Sequence, residues 1–355
     1  MAELYQLKMK GMPLPGKPTI RDIAKLAGVS HSTVSRALNG STLISSSTRD
    51  NIRKIASQID FEFNEGARRL KNRKTGIIGV IYYSVLNDFR SSLYTNELFR
   101  DLRHNLERVG LDALLVEAYG KQSGHSNIVR LVRQNKVDGF IIIHPEIRPE
   151  DYQLIQAHKL PVVHVHIVPE LISRDSVDCF FTDNYQGGHL AGQYLVDSGC
   201  RKIQVVRINE KESEEFRLRT AGCLDAMKQA GFPICNNQNL SCSCSYEGGY
   251  QVAGENLQYL ETLDGIFVPA DITAFGFLNA LREKGLRVPQ DLKVIGYDDS
   301  PVSRMSLPAL TTIHQPRENL TEKACLRINS LLFGDAASNP VVEYLKPSLV
   351  IREST

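Results

Sequence analysis

From Thr75 onward, short apolar runs alternate with segments of helical periodicity, and the alternation runs through twice. Ile77-Ile-Gly-Val-Ile-Tyr82 has no polar face and reads as a strand buried on both sides. Helical periodicity follows at 97–109 through Leu98, Leu102 and Leu106, then a strand at 113–116, a helix at 128–134 and a strand at 139–143. Strands at 161–167 and 179–182 close the first series. The second begins after Asn184, with helix 187–198, strand 203–208, helix 217–230, helix 249–260, strand 265–268, helix 272–284 and strand 293–297. A helix between strands returns the chain to the edge it started from, so consecutive strands run parallel. The pattern predicts two parallel sheets flanked by helices, with ligands beyond the carboxyl ends of their strands. Two lobes facing each other would hold a small molecule between those ends.

Residues 19–39 differ in kind. Ile20, Ile23, Ala24 and Ala27 lie on one helical face, and Gly28 ends that helix where a Cβ is resisted. Val29 plugs the corner, and Ser30 can cap a second helix whose buried side is Val34, Ala37 and Leu38. The opposite side shows His31, Ser32, Thr33, Ser35 and Arg36, short donors and acceptors plus a long cation, which suits base edges and phosphates. Spacing alone fits an ordinary helical hairpin equally well. Charge favours the DNA reading: Met1 to Lys74 carries 14 Lys+Arg against 6 Asp+Glu, a net +8, while the remainder is −6. A basic head on an acidic body is the footprint of a polyanion binder. A third helix is expected from a capping-box-like start at Ser47 to Asp50, with the stripe Ile52, Ile55, Ala56, Ile59 and closure by Phe61 and Phe63.

These features divide the chain into a flexible tail (1–17), a helix-turn-helix domain (18–63), a basic linker (64–74) and a core (75–355). The linker is too poor in apolar residues to bury itself; it is either a solvated connection or a helix that orders on DNA. No run approaches ~18 apolar residues, so no membrane span is expected. The first residues lack the apolar centre of a secretory signal, and seven scattered cysteines fit reduced thiols in a cytoplasm. Cys242-Ser-Cys244 has no second pair at zinc-site spacing, so neither metal nor cofactor is expected. Gly187 to Gly192 lacks the spacing and acidic partner of a dinucleotide fingerprint, and no nucleophile sits by a local base, so the chain does not read as an enzyme. No leucine-heptad segment follows the last strand pattern, so a tetramerising appendage is not expected.

Further motifs run along the chain in order: Ala27-Gly-Val-Ser30, Thr33-Val-Ser-Arg-Ala-Leu-Asn39, Val137-Asp-Gly139, Asp183-Asn-Tyr-Gln-Gly-Gly188 and Arg219-Thr-Ala-Gly222. Val294-Ile-Gly-Tyr-Asp-Asp299, Leu310-Thr-Thr-Ile-His-Gln-Pro316 and the ending Leu349 to Thr355 extend the series. In these motifs the chain resembles the LacI/GalR (lactose-repressor) family of bacterial transcription regulators. The resemblance implies a multidomain protein, an all-α helix-turn-helix head plus an α/β two-lobed core like the periplasmic binding proteins. Lobe 1 would comprise about 75–183 and 317–345, and lobe 2 about 184–315 and 346–355. It further implies a cytoplasmic homodimer on a near-palindromic operator, with a small-molecule effector such as a sugar between the lobes. By resemblance, His31, Ser32 and Arg36 read bases; Thr19, Ser30, Thr33, Asn39, Ser45 and Thr48 grip phosphates; Leu70 is a minor-groove wedge, and Ala67 lets paired hinge helices approach. Phe63 stands where many members have proline, and Gly66 lies inside the presumed hinge helix.

For the core, the resemblance places Arg219, Asp298 and Gln315 at effector-contacting positions and Asp271 in a site-lining turn. His166 replaces a frequent aspartate, beside His164, and Phe89 or Tyr94 would supply a stacking surface. A cation and carboxylates at strand ends favour a polyhydroxylated or polar ligand. The function implied is a ligand-responsive repressor, here of a carbohydrate-use operon. The alternative is a sugar-binding protein without a transcriptional role, which the basic head argues against.

Overall fold

The computed structural model describes residues 18–38, 44–59, 61, 74–82, 93–120, 124–144, 146–169, 172–209, 214–232, 240–334 and 339–355. The expectations for the tail (1–17), Asn39, Phe63, Gly66, Ala67, Leu70 and Phe89 fall outside these residues. The chain forms two compact units, Met1–Arg73 and Lys74–Thr355.

In the first unit, α1 (Ile20–Ala27), α2 (His31–Leu38) and α3 (Ser46–Gln58) enclose a small core. Asp22 starts α1 by accepting from the Thr19 backbone N–H at 2.9 Å and the Thr19 hydroxyl at 2.6 Å. Gly28 ends it in the left-handed region at φ 67°, where a side chain would be strained. The Ser30 hydroxyl caps α2, accepting from the Thr33 N–H at 3.1 Å. Helix α3 begins earlier than the sequence suggested: Ser45 is its cap, accepting from Thr48 N–H at 3.2 Å. Ile23, Val34, Ala37 and Ile52 are fully buried between the helices.

The second unit contains two large sheets. Strands β1 (Ile77–Tyr82), β2 (Asp112–Glu117), β3 (Gly139–Ile143), β4 (Val162–Val165) and β5 (Asp178–Thr182) belong to the first, interleaved with α4 (Leu93–Arg108), α5 (Asn127–Arg133) and α6 (Pro149–Ala157). Then come α7 (Asn184–Asp197), β6 (Ile203–Val205), β7 (Arg207–Ile208), α8 (Glu214–Gln229), β8 (Ser241–Cys242), α9 (Tyr246–Glu255), α10 (Leu257–Leu260), β9 (Gly265–Phe267), α11 (Asp271–Glu283), β10 (Lys293–Asp298), α12 (Pro301–Met305) and β11 (Thr311–His314). Helix α13 (Arg317–Phe333), β12 (Val342–Leu345) and β13 (Ser348–Val350) finish the chain. The first sheet has the order β12-β5-β4-β3-β1-β2 and is parallel throughout. The second, β13-β11-β10-β9-β6, is parallel except where β13 runs against β11. The chain therefore passes between sheets after β5, after β11 and between β12 and β13.

Several elements depart from the expected pattern, among them α4 and α7, which start at Leu93 and Asn184 rather than at 97 and 187, and α6, which was not expected. The strand expected at 203–208 breaks, because Arg207–Ile208 leaves the large sheet to pair with β8. The helix expected at 249–260 starts at Tyr246, where the Ser245 hydroxyl accepts from Gly248 N–H at 3.0 Å, and it breaks before Leu257. The helix expected from 217 starts at Glu214.

Candidate DNA-reading head and effector cleft

In the head, packing decides which face of α2 is available. Val34 and Ala37 are buried against the other helices, which leaves His31, Ser32 and Arg36 exposed on the opposite side. The residues expected to grip phosphates stand at helix starts. Ser30 and Ser45 use their hydroxyls as caps, and each also contacts a neighbouring threonine hydroxyl at 2.8 Å. The Thr19 hydroxyl is committed to Asp22. The unbonded N–H groups of each first helical turn, with the helix dipole behind them, provide the anion-seeking surface.

The core places its polar cluster at the carboxyl ends of the strands. Asp298 is the last residue of β10 and takes φ 121°, a left-handed conformation rare outside glycine. Its Oδ1 accepts from Gln315 Nε2 at 2.8 Å and lies 3.5 Å from Arg219 Nη1. Arg219, 4% exposed, is not a surface cation. Its Nε donates to Asn184 Oδ1 at 2.9 Å, its Nη1 donates to the Pro269 carbonyl at 2.9 Å, and its guanidinium lies 3.8 Å above the Tyr297 ring. Tyr297 donates to Asn184 Oδ1 at 3.2 Å. The basic centre is therefore held on three sides before any ligand arrives.

The first sheet contributes Tyr94 from α4 and His166 after β4, joined through Tyr94 Oη and His166 Nε2 at 2.9 Å. His166 Nδ1 faces Glu215 Oε1 at 3.8 Å, a residue of α8. Burial, then the nearby Arg219 charge, lowers the His166 pKa to about 3, so the ring is neutral and keeps one donor and one acceptor. Burial raises the Asp298 and Glu215 carboxyls, with Arg219 opposing the rise in both. Gln315 Oε1 and His166 Nδ1 are buried without a hydrogen-bond partner among the described residues.

Tyr94, His166, Arg219, Asp298 and Gln315 thus converge. Asp271 does not join them as a contact. It is fully buried, and its carboxylate accepts from Ser300 N–H at 2.8 Å and from the Thr312 hydroxyl at 2.6 Å. It locks the loop after β10 from behind, while its backbone N–H supports Asp298. Sequence reasoning missed Glu215, hidden in a run of charged residues, and Asn184, read only as part of the Asp183 to Gly188 motif. It also missed Arg317, whose Nη1 meets Glu97 at 2.8 Å and whose Nε meets Asp101 at 2.7 Å, tying α13 to α4. Among the described residues, no group of acidic, histidine and cysteine side chains could hold a metal, and none of the six described cysteines is in a disulfide. No described helix is long and apolar enough to cross a membrane.

Residues 19–64 match the model of the bacterial regulatory proteins of the lacI family, and residues 193–355 match the periplasmic binding protein-like domain. The chain carries a lacI-family DNA-binding domain and a periplasmic binding protein-like domain. It is a DNA-binding transcription regulator with a ligand-binding core rather than an enzyme. Among curated relatives of this family is the HTH-type transcriptional repressor PurR of Pectobacterium atrosepticum, 29% identical over 338 residues, 95% of this chain and 96% of the relative. The PurR repressor of Mannheimia succiniciproducens is 29% identical over 95% of this chain and 98% of its own length. Among solved structures, the transcriptional regulator CelR–cellobiose complex has a TM-score of 0.68 at 25% identity, covering 96% of this chain and 100% of that one. The lac repressor dimer bound to operator and the anti-inducer ONPF has a TM-score of 0.69 at 24% identity, covering 96% and 99%, and is similar in fold. A LacI-family regulator from Enterococcus faecium with bound ribose has a TM-score of 0.66 at 26% identity, covering 79% and 98%.

Proposed function

We propose that this regulator is a cytoplasmic repressor that binds a near-palindromic operator as a homodimer and releases or grips it according to a polar metabolite in the core. The observation that carries the reading is the buried Arg219–Asp298–Gln315 cluster, faced by Tyr94 and His166. Its unpartnered atoms, Gln315 Oε1 and His166 Nδ1, call for ligand hydroxyl or N–H groups, because a buried polar group without a partner is costly. Carboxylate, amide and neutral imidazole together suit a polyhydroxylated ligand, and a carbohydrate-use operon is the regulated target we favour. The CelR structure holds cellobiose and the Enterococcus faecium regulator holds ribose, which supports that class.

In this reading, residues 18–63 read the operator, 64–74 form the hinge and 75–355 form the effector core. His31, Ser32 and Arg36 address base edges. Ser30, Thr33, Asn39, Ser45 and Thr48 hold phosphates, Thr19 joins them once its hydroxyl turns from Asp22, and Ala67 and Leu70 set the hinge pair in the minor groove. Lobe 1 is 75–183 with 317–345; lobe 2 is 184–315 with 346–355. An effector acts only through different affinities for two lobe arrangements, one of which orders the hinges on DNA.

The test is anisotropy titration of labelled DNA from the neighbouring operon, with sugars and nucleosides added singly. Wild type should prefer its operator, and Arg36→Ala should lose about 1–3 kcal/mol of discrimination while remaining folded. Unchanged sequence preference in Arg36→Ala would remove α2 from the reading surface.

A further inference from the structure

A groove of about 470 Å³ opens on the first lobe between α5 and the start of α6. It is lined by none of the residues of the Arg219–Asp298 cluster. Asp151 lines it at 1% exposure, with Oδ2 lacking any hydrogen-bond partner among the described residues. The Tyr119 hydroxyl accepts from the Arg148 backbone N–H at 2.8 Å and is hydrogen-bonded to the Asp151 carboxyl. A carboxylate accepts and does not donate, so the missing partner of Oδ2 is an N–H or O–H from outside the fold.

Three arginines line the same groove. Arg148 lies 4.3 Å over the Tyr119 ring and gives one N–H to the Gly124 carbonyl at 3.1 Å. Arg130 gives its Nε to Asn127 Oδ1 at 3.1 Å. Each retains further N–H groups, and Arg133 stands beside them on the next turn of α5. Guanidinium forks bind carboxylate and phosphate oxygens in pairs. Glu150 on the same rim leaves the groove with both signs of charge. A groove of this size holds a small metabolite.

We propose that this groove is a second small-molecule site for a zwitterion of amino-acid size, its ammonium on Asp151 Oδ2 and its anionic group on Arg133 and its neighbours. The proposal does not rest on the effector reading of the other cleft. Isothermal titration of the full-length protein with individual free L-amino acids tests it, with O-phosphoethanolamine as the phosphate-bearing amine and acetate and methylamine as half-ligands. At least one zwitterion should bind while the half-ligands do not. Asp151→Asn and Arg133→Gln should each weaken binding about tenfold or more, whereas Asp298→Ala should leave it unchanged. Should Asp151→Asn fail to fold, Arg133→Gln carries the test, because Arg133 is exposed. No binding by any zwitterion, wild-type affinity in the groove variants, or loss in Asp298→Ala would overturn it.

Discussion

Asp298 concentrates the chemistry of the cleft in one carboxylate. Its φ of 121° is a conformation a non-glycine residue holds only under constraint from its surroundings. The constraint comes from Gln315, Arg219 and the Asp271 backbone N–H, all meeting one side chain. Removing it takes away hydrogen bonds to a charged group, worth about 1.5–3 kcal/mol each. Asp298→Ala is therefore expected to bind effector about 10- to 100-fold more weakly and to keep operator affinity, with calorimetry and anisotropy reading the two halves. Normal effector affinity in that variant would place the ligand elsewhere. At this scale, the motifs around Arg219, Asp298 and Gln315 were legible because their residue types and order are specific. Glu215 was not: it ends a run of charged residues that reads as a solvated face, and only the packing of α8 buries it. Asp271 was legible as a turn residue, but its distance behind the cleft depends on Ser300 and Thr312, contacts of tertiary origin.

Among elements, α7 and α8 set the position of Arg219. They approach so closely that glycine is required on both. A Cβ at Gly188 would collide with the Arg219 carbonyl, and one at Gly222 with the Tyr185 carbonyl. The cluster Gly187 to Gly192 is thus a packing surface, which accounts for its glycines without a nucleotide. Gly222→Ala should push the helices apart at a cost of about 1–3 kcal/mol. The expected result is a lower Tm together with weaker effector binding, since Arg219 rides on α8; an unchanged Tm would contradict the close approach. The alternation of strands and helices was readable because buried parallel strands are continuous apolar runs. The pairing of β7 with β8 was not, because a strand of two residues carries no periodicity. The early start of α9 depended on a serine cap inside a serine-rich loop where several serines could have served.

The molecule as a whole buries three histidines in its first lobe. His144, His164 and His166 are 3%, 0% and 8% exposed, and burial lowers their pKa values to about 4, 4 and 3. All three rings are neutral when folded, while in the unfolded chain they take up protons near pH 6.5. Between pH 6.5 and about 4 the unfolded state binds more protons, so stability is highest above pH 6.5 and falls as pH drops. Each ring contributes about 2 kcal/mol of loss between pH 6.5 and 5. Urea unfolding should therefore show the core much weaker at pH 5 than at pH 7, and His164→Leu should flatten that dependence. Equal stability at the two pH values would mean that these rings are not buried neutral.

A cationic head reads duplex DNA, and the ligand-binding core decides when. Its most direct measurement is the affinity of the full-length protein for operator and for scrambled duplex at moderate ionic strength, with and without the metabolite found in the screen. Operator binding should be at least about 10³-fold tighter than scrambled, with a shift of about 5- to 150-fold on adding effector. Equal affinity for the two duplexes, in the presence and absence of every metabolite, would contradict it.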